Sequence, residues 1–271
     1  MDQLHQKYEA LLSGLRASGS LAVAFSGGVD SAFLLRCAQD ALGDRAVAVT
    51  AAPPFVPPRE LREAREFCEA RGIRQVVIPS AELNIDSVRH NPPDRCYHCK
   101  REIFGRIIEA AARLGISAVA EGSNVDDTGD YRPGMRAIRE LGVRSPLLEA
   151  GLTKAEIRAL SRELGLPTWD KPSFACLASR FVYGEAITDE KLRMVDRAEQ
   201  LLMELGFRQL RVRIHGDLAR IEVPPEDLPR VAEPETRARI SRELREYGFH
   251  YVTLDLAGYR TGSMNEVLKN G

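Results

Sequence analysis

The chain has 271 residues, of which 44% are hydrophobic and 28% charged, and its formal net charge is −1. At roughly 150 residues per domain, this length predicts one large domain or two smaller ones. The balanced charge argues against sequence-independent nucleic-acid binding, because such a protein needs a basic surface to displace counterions. No window reaches the ~18 consecutive apolar residues of a membrane span, and residues 1–10 lack a signal peptide's apolar core. We therefore expect a cytoplasmic protein that associates with neither membranes nor nucleic acids.

Strand and helix patterns alternate in the chain up to about residue 170. Short apolar runs predict strands at residues 21–25, 46–50, 75–78 and 116–120, with a candidate fifth at 144–148. Amphipathic stretches ending near a glycine predict helices before Gly43, between residues 57 and 72, from about residue 99 to 114, and from Thr153 to Leu164. The last helix carries a capping box of Thr153 and Glu156. This alternation predicts an α/β fold with a doubly wound parallel sheet, whose ligand lies beyond the carboxyl ends of the strands.

The remaining residues predict a smaller α+β domain. An amphipathic helix is expected at residues 188–205, alternating strands at 210–214 and 219–223, a helix around 234–247 and a last strand around 251–256. A join rich in proline, serine and small residues lies between Trp169 and Ile187. We therefore divide the chain into domains 1–175 and 176–271.

The sequence Ser-Gly-Gly-Val-Asp-Ser at residues 26–31 follows the first strand and begins a helix. Its two glycines allow backbone N–H groups to approach an anion, and the helix N-terminus adds a partial positive charge. No Gly-Lys-Ser/Thr follows, so the loop is not a Walker motif. The pattern resembles the PP-loop of N-type ATP pyrophosphatases, which implies cleavage of ATP between its α and β phosphates. We expect ATP to bind at Ser26, Gly27, Gly28, Asp30 and Ser31, with Asp30 also holding Mg²⁺.

Two further segments carry candidate binding residues. Residues 121–134 follow the fourth strand and contain Asp126, Asp127 and Asp130, which could position Mg²⁺, and Arg132, which could hold substrate; an Asx-rich turn is the alternative. Of the three aspartates, we expect Asp127 to bind ATP. Arg211 and Arg213 alternate on one strand, and Glu222 lies on the next. Two arginines on one face can fork onto a phosphate, although a solvated, salt-bridged strand would show the same pattern.

The cysteine pattern indicates metal, redox or nucleophilic chemistry. Five cysteines are too few for a disulfide scaffold. Cys37 and Cys68 sit inside amphipathic patterns and are expected in the core, which leaves Cys96, Cys99 and Cys176. Three interpretations stay open: a [4Fe–4S] cluster with one open iron, a zinc site completed by His98 or an outside ligand, and a redox pair with Cys176 acting separately.

With the PP-loop and the cysteines, the chain resembles the LarE-type sulfur transferases nearly end to end. The resemblance includes the Pro-Ser-Phe-Ala-Cys-Leu-Ala-Ser-Arg segment at residues 172–180 and further motifs at 211–222 and 258–266. It implies thiolation of pyridinium-3,5-biscarboxylic acid mononucleotide for the nickel-pincer cofactor of lactate racemase. The implied catalytic residues are Cys96, Cys99 and Cys176, and the implied substrate-binding residues are Arg180, Arg211, Arg213 and Glu222.

The resemblance also implies how sulfur is supplied. Some family members have only the cysteine that matches Cys176 and sacrifice its sulfur, whereas members with three cysteines hold a [4Fe–4S] cluster that carries an extra sulfide. The presence of Cys96 and Cys99 matches the second group. We therefore expect ATP, Mg²⁺ and a [4Fe–4S] cluster as cofactors, and a nucleotide substrate, a sulfide source and a homo-oligomer as partners. The alternatives are a sacrificial Cys176, a tRNA thiolase, an amide-forming synthetase of the NAD or GMP synthetase kind, and an ATP-binding regulatory module with structural zinc.

Overall fold

The computed structural model describes residues 2–82, 85–129, 133–173, 175–260 and 262–265. The chain forms two compact units, and we describe each by itself. The N-terminal unit comprises Met1–Ile85 and Asp94–Phe174, and the C-terminal unit comprises Asp86–Pro93 and Ala175–Gly271. That residues 1–175 are an ATP pyrophosphatase domain and residues 176–271 a sulfur-transferase domain stays a prediction.

Eleven helices and seven strands are present in the part of the chain that the structure describes. The helices are α1 (Gln3–Arg16), α2 (Val29–Leu42), α3 (Pro58–Glu69), α4 (Asp86–Arg89), α5 (Arg95–Arg113), α6 (Pro133–Glu140), α7 (Pro146–Glu149), α8 (Lys154–Glu163), α9 (Asp189–Glu204), α10 (Leu228–Ala232) and α11 (Pro234–Glu246). The strands are β1 (Leu21–Ala24), β2 (Ala46–Ala52), β3 (Gln75–Pro79), β4 (Val119–Ala120), β5 (Arg211–His215), β6 (Leu218–Glu222) and β7 (Tyr251–Leu254). None of these helices has the length and apolar character needed to cross a membrane.

The N-terminal unit is built on a parallel sheet with the strand order β3-β2-β1-β4. Leu21, Ala22 and Val23 of the inner strand β1 have no exposed surface, because helices cover the sheet and apolar residues fill the space between. This arrangement confirms the predicted α/β fold. The carboxyl ends of β1 and β4, which are hydrogen-bonded neighbours, deliver the loops that begin at Phe25 and Glu121 to one edge of the sheet.

Two predicted strands differ from the observed ones. The strand predicted at 116–120 is reduced to the two residues of β4. The candidate strand at 144–148 is wrong, because only a single parallel bridge joins Ala120 to Arg144 before α7 begins at Pro146. Proline has no N–H to donate to a ladder and is well suited to the first turn of a helix.

Two helices also differ from the prediction. Helix α5 begins at Arg95, four positions before the predicted start at about Cys99, so both cysteines of the motif lie inside it. Helix α1 was not predicted; it buries Leu11, Leu12 and Leu15 against the core.

Helix α8 begins with the predicted capping box. The Thr153 hydroxyl accepts a hydrogen bond from the Glu156 N–H, and the Glu156 carboxylate accepts one from the Thr153 N–H at 2.8 Å. Glu156 also accepts a 2.7 Å bond from Lys7 on α1. The N-terminus of α8 is therefore anchored, and Lys154 is its first residue.

The C-terminal unit is the expected α+β arrangement. Strands β5 and β6 are antiparallel, whereas β6 and β7 are parallel. Helix α9 is capped by Thr188, whose side chain accepts from the Lys191 N–H, and buries Val195, Ala198 and Leu202. Strand β5 is buried on both faces, which the alternating sequence did not predict.

Candidate active site

The PP-loop is held at the N-terminus of α2 by hydrogen bonds within the loop. The Ser31 hydroxyl lies 3.1 Å from the Ser26 hydroxyl and donates to the Gly28 carbonyl at 3.2 Å. Gly28 is the N-cap of α2 and supplies no side-chain cap. The N–H groups of the first helical turn have no intrahelical acceptors. Together with the helix dipole, they make this turn suited to an anion.

The two glycines of the loop differ in whether the fold could accept a side chain in their place. Gly27 has φ +74° and its missing Cβ would lie 3.3 Å from Ala64 Cβ, so a side chain there is strained and crowded. Gly28 has φ −79°, and a Cβ there would meet only Ser26 Oγ, at 3.5 Å. The fold therefore requires Gly27, whereas it has room for a side chain at position 28.

Asp30 has partners from two distant segments of the N-terminal unit. Lys154 at the start of α8 forms an ion pair with its carboxylate at 2.5 Å, and the Asn124 side chain donates to it at 3.3 Å. Gly122 allows the loop after β4 to approach the start of α2 closely, because a Cβ at position 122 would lie 3.0 Å from the Ser31 nitrogen. Gly122, Asn124 and Lys154 were not singled out from the sequence. Gly122 and Asn124 could have been found, because they directly follow the carboxyl end of β4.

The acidic loop after β4 is organised by Asx-type contacts. The Asp127 carboxylate accepts from the Asn124 N–H at 2.9 Å, and the Asn124 side-chain oxygen accepts from the Asp126 N–H at 2.9 Å. The Asp126 carboxylate accepts from the Lys154 N–H at 2.8 Å. Asp130 and Arg132 lie outside the described residues. The predicted contact of Asp127 with ATP stays a prediction.

No three His, Cys, Asp or Glu side chains are grouped closely enough to hold a metal ion among the residues that the structure describes. Magnesium commonly binds through one or two carboxylates together with substrate phosphates rather than in an all-protein cage. Asp30, at the first turn of α2, suits this mode. The Mg²⁺ assignment to Asp30 stays a prediction.

Cys96 and Cys99 lie in the first turns of α5, where residues three apart are neighbours on the helix surface. Cys96 is exposed and Cys99 is half-buried. Tyr97 between them is buried and donates to Glu140 of α6 at 2.7 Å, which ties the cysteine turn to α6. Two thiols held in this way suit ligands of one metal centre.

The other two cysteines of the N-terminal unit are core residues, as predicted. Cys37 has no exposed surface and Cys68 is 1% exposed. Burial raises the pKa of both thiols, that of Cys68 to about 12. Because the thiolate is the metal ligand and the nucleophile, neither residue suits sulfur chemistry.

Cys176 lies in the C-terminal unit, directly before a short 3-10 turn formed by Leu177–Arg180. The backbone around it is held tightly. The Cys176 carbonyl accepts from the Ser179 hydroxyl at 2.8 Å and from the Arg180 guanidinium at 3.1 Å, and Arg180 also donates to the Ala175 carbonyl at 2.7 Å. Cys176 itself is half-buried.

Arg180 is itself fixed by a buried carboxylate. It is 1% exposed and makes two bonds to Glu199 of α9, at 2.8 and 2.9 Å. Glu199 also accepts from the Val212 N–H at 3.0 Å, which connects the turn to β5. Sequence reasoning missed Glu199, although a glutamate on the apolar stripe of α9 was a usable signal. The predicted contact of Arg180 with substrate stays a prediction.

Arg211, Arg213 and Glu222 are all buried, so the strand is not solvated, although the salt bridge of that alternative is present between Arg213 and Glu222. Arg213 donates to Glu222 at 2.8 and 3.0 Å and to the Ser179 carbonyl at 3.1 Å. Burial, reinforced by the positive charge of Arg180, lowers the pKa of Arg211 to about 10. Among the described residues of the C-terminal unit, three buried guanidinium groups outnumber the two buried carboxylates, Glu199 and Glu222. An anion placed here would relieve this excess of positive charge.

The Arg180–Glu199 pair makes a testable contribution to stability. Glu199→Ala leaves the Arg180 charge buried without this carboxylate, so we expect a loss of about 3–5 kcal/mol in the free energy of unfolding. Asp40→Ala removes the more exposed Arg36 pair and should cost less than about 1 kcal/mol. Urea titrations of both variants measure the difference; equal losses would contradict the assignment.

The same pair predicts a pH dependence. Burial alone would raise the pKa of Glu199, but the Arg180 guanidinium, the Arg211 charge and the Val212 N–H together outweigh burial and hold the pKa below its ordinary value. A carboxyl with a lowered folded-state pKa contributes its full stability above the unfolded-state pKa of about 4.3. We expect the stability difference between wild type and Glu199→Ala to shrink as the pH falls below that value.

The N-terminal unit defines a class of protein. A parallel sheet whose inner strand leads through Ser-Gly-Gly-Val-Asp-Ser into a helix is the nucleotide-binding domain of the PP-loop ATP pyrophosphatases. Consistent with this class, the chain is 29% identical over 216 residues to a tRNA-specific 2-thiouridylase from Azorhizobium caulinodans, covering 65% of this chain and 55% of the relative. A scan against models of known protein families gives no match.

Two relatives match almost the entire chain. An uncharacterized protein from Synechocystis sp. is 45% identical over 246 residues, covering 91% of this chain and 92% of the relative. The pyridinium-3,5-bisthiocarboxylic acid mononucleotide synthase of Lactiplantibacillus plantarum is 39% identical over 270 residues, covering 99% of this chain and 97% of the relative. The chain therefore belongs to the family of this synthase, the LarE-type ATP-dependent sulfur transferases.

Proposed function

We propose that this protein uses ATP to activate a carboxylate of pyridinium-3,5-biscarboxylic acid mononucleotide and converts it to a thiocarboxylate. Two rounds produce the bis-thiocarboxylate needed for the nickel-pincer cofactor of lactate racemase. The observation that carries the proposal is the match over 99% of the chain to a synthase of the bis-thiocarboxylate. The PP-loop, the Cys176 turn and the buried arginines supply the parts that this chemistry needs.

Adenylylation takes place at the PP-loop. The substrate carboxylate attacks the α-phosphate of ATP, the acyl-adenylate forms, and pyrophosphate leaves. The N–H groups at the start of α2 stabilise the phosphate charge, because they are oriented before the ligand arrives. Asp30 would hold the Mg²⁺ of Mg²⁺-ATP, and the Lys154 ammonium, which pairs with Asp30 in this structure, would then be available to a phosphate.

Sulfur transfer follows on the activated carboxyl. Hydrosulfide attacks the acyl carbon, the bond to AMP breaks, and the thiocarboxylate forms as AMP leaves. Cys96, Cys99 and Cys176 are the residues that would hold a [4Fe–4S] cluster, and none of them is a buried residue, unlike Cys37 and Cys68. A cluster held by these three cysteines would supply sulfide as the nucleophile.

The buried arginines of the C-terminal unit bind the anionic substrate. Arg213→Ala should lower the affinity for the biscarboxylate mononucleotide about 10- to 100-fold, because a charge-assisted contact is lost. The fold should tolerate the change, since Arg220 still reaches Glu222 at 3.1 Å. Calorimetry with the substrate and with ATP measures both affinities; an equal loss of both would remove Arg213 from the substrate site. Arg211→Ala is expected to act in the same direction.

The experiment that tests the function is an anaerobic assay of the full chain with the biscarboxylate mononucleotide, ATP, Mg²⁺ and sulfide. We expect pyrophosphate release that depends on the mononucleotide, and a product in which sulfur has replaced one oxygen. Pyrophosphate release without thiolation would support only adenylylation. No release with any component present would reject the proposal.

A further inference from the structure

A second lysine contacts the PP-loop, on the segment that follows α8. The Lys171 ammonium donates to the Gly27 carbonyl at 3.0 Å and to the Glu63 carboxylate of α3 at 2.6 Å. Its side chain is 18% exposed. Only six lysines occur in the chain, and among those that the structure describes, Lys154 and Lys171 contact the six-residue loop.

The Lys171 backbone is held in place from α8. Arg158 donates to the Trp169 carbonyl at 2.6 Å and to the Lys171 carbonyl at 2.7 Å. The Arg162 guanidinium lies 5.1 Å from the centre of the Trp169 ring, which adds a cation–π contact. Helix α8 therefore supports both lysines, one at its first residue and the other through Arg158.

The ion pair with Glu63 is suited to exchange. The Glu63 side chain is 49% exposed, so its carboxylate is stabilised by water when it leaves the lysine. An ion pair with one partner this exposed contributes little to stability. An ammonium group has three N–H donors, and Gly27 and Glu63 use two of them in this structure. A polyphosphate at the loop carries more charge than one carboxylate and would displace it.

We propose that Lys171 binds the β and γ phosphates of ATP and the pyrophosphate product, and that Glu63 neutralises Lys171 when the loop is empty. Arg158 is the positioning residue for this lysine. This inference rests on the proposed function, since it assumes that ATP binds at the PP-loop. Because Glu63 competes with the phosphates for Lys171, removing the Glu63 charge should strengthen phosphate binding, whereas removing Lys171 should weaken it.

The test uses two ligands that differ in the phosphates concerned, Mg²⁺-pyrophosphate and AMP, titrated calorimetrically into the full chain. Lys171→Ala should weaken pyrophosphate binding about 10- to 100-fold and leave AMP binding unchanged, because AMP lacks the β and γ phosphates. Glu63→Gln should tighten pyrophosphate binding about threefold. Lys191→Ala is the matched control, since it removes a lysine that also pairs with a glutamate at 2.6 Å.

The positioning role of Arg158 has its own readout. Arg158→Gln should weaken pyrophosphate binding less than Lys171→Ala does, and the double variant should be no weaker than Lys171→Ala alone. A merely structural Arg158 would lower the melting temperature and leave pyrophosphate affinity unchanged.

Two results would overturn the inference. One is unchanged pyrophosphate affinity in folded Lys171→Ala, and the other is weaker pyrophosphate binding in Glu63→Gln. If wild type releases pyrophosphate with substrate while Lys171→Ala keeps full affinity, only the role of Lys171 is rejected. If wild type binds neither ATP nor pyrophosphate, the proposed function is rejected as well.

Discussion

Changing Cys96, Cys99 or Cys176 to alanine is expected to abolish repeated sulfur transfer and to remove bound iron. Wild type prepared without oxygen should be brown and contain about four irons per chain. Each of these three residues is exposed or half-buried, whereas Cys37 and Cys68 are buried. Cys37→Ala and Cys68→Ala are therefore the matched controls, and they should lower stability without removing iron. Iron and sulfide analysis of all five variants, with the thiolation assay, measures the outcome.

A sacrificial cysteine and a zinc site each predict different results for the same variants. If Cys176 sacrifices its sulfur, Cys96→Ala and Cys99→Ala stay active and the Cys176 peptide becomes lighter by one sulfur after reaction. If the cysteines bind zinc, the protein is colourless and contains about one zinc per chain. Mass spectrometry of the Cys176 peptide and metal analysis of the same sample separate the three cases. Dehydroalanine at position 176 in active, iron-free protein would exclude the cluster.

Gly28→Val and Asp30→Ala are expected to abolish adenylylation while the N-terminal unit stays folded. A side chain at position 28 blocks the approach of phosphate to the backbone, although the loop itself has room for its Cβ. Asp30→Ala removes the carboxylate that we assign to Mg²⁺ and leaves the Lys154 ammonium without that partner. Substrate-dependent pyrophosphate release should fall to background in both variants.

The neighbouring glycine supplies the control for this prediction. Gly27→Ala should lower the melting temperature, because its φ of +74° and the contact with Ala64 disfavour any side chain. Gly28→Val should melt close to wild type. Thermal unfolding and pyrophosphate release are measured on the same preparations. If both Gly28→Val and Asp30→Ala release pyrophosphate as wild type does, the assignment of the PP-loop is wrong.

Much of the fold is encoded in local patterns. The predicted runs at 21–25, 46–50 and 75–78 match β1, β2 and β3 closely, because short apolar runs bounded by turn residues indicate buried strands. The capping box at Thr153 could be recognised from the sequence because its contacts join residues three positions apart. The PP-loop was readable for the same reason, since its six residues are contiguous.

Partners from distant segments could not be predicted in this way. Asp30 and Lys154 are 124 positions apart, and Gly27 and Lys171 are 144 positions apart. A lysine in a polar stretch has no local pattern that distinguishes it from a solvated one. Its role depends on where helix packing places α8.

The sequence by itself determined the chemistry that the chain carries: a phosphate-binding loop, three cysteines outside the core, and two arginines on one strand face. Only the tertiary structure decided how those groups are used. It buried Arg211 and Arg213 to 4% and 5% exposure and paired Arg180 with Glu199 beneath the Cys176 turn. The physical reason is that strand alternation sets the direction of a side chain, whereas burial and charge pairing depend on what the rest of the chain packs against it.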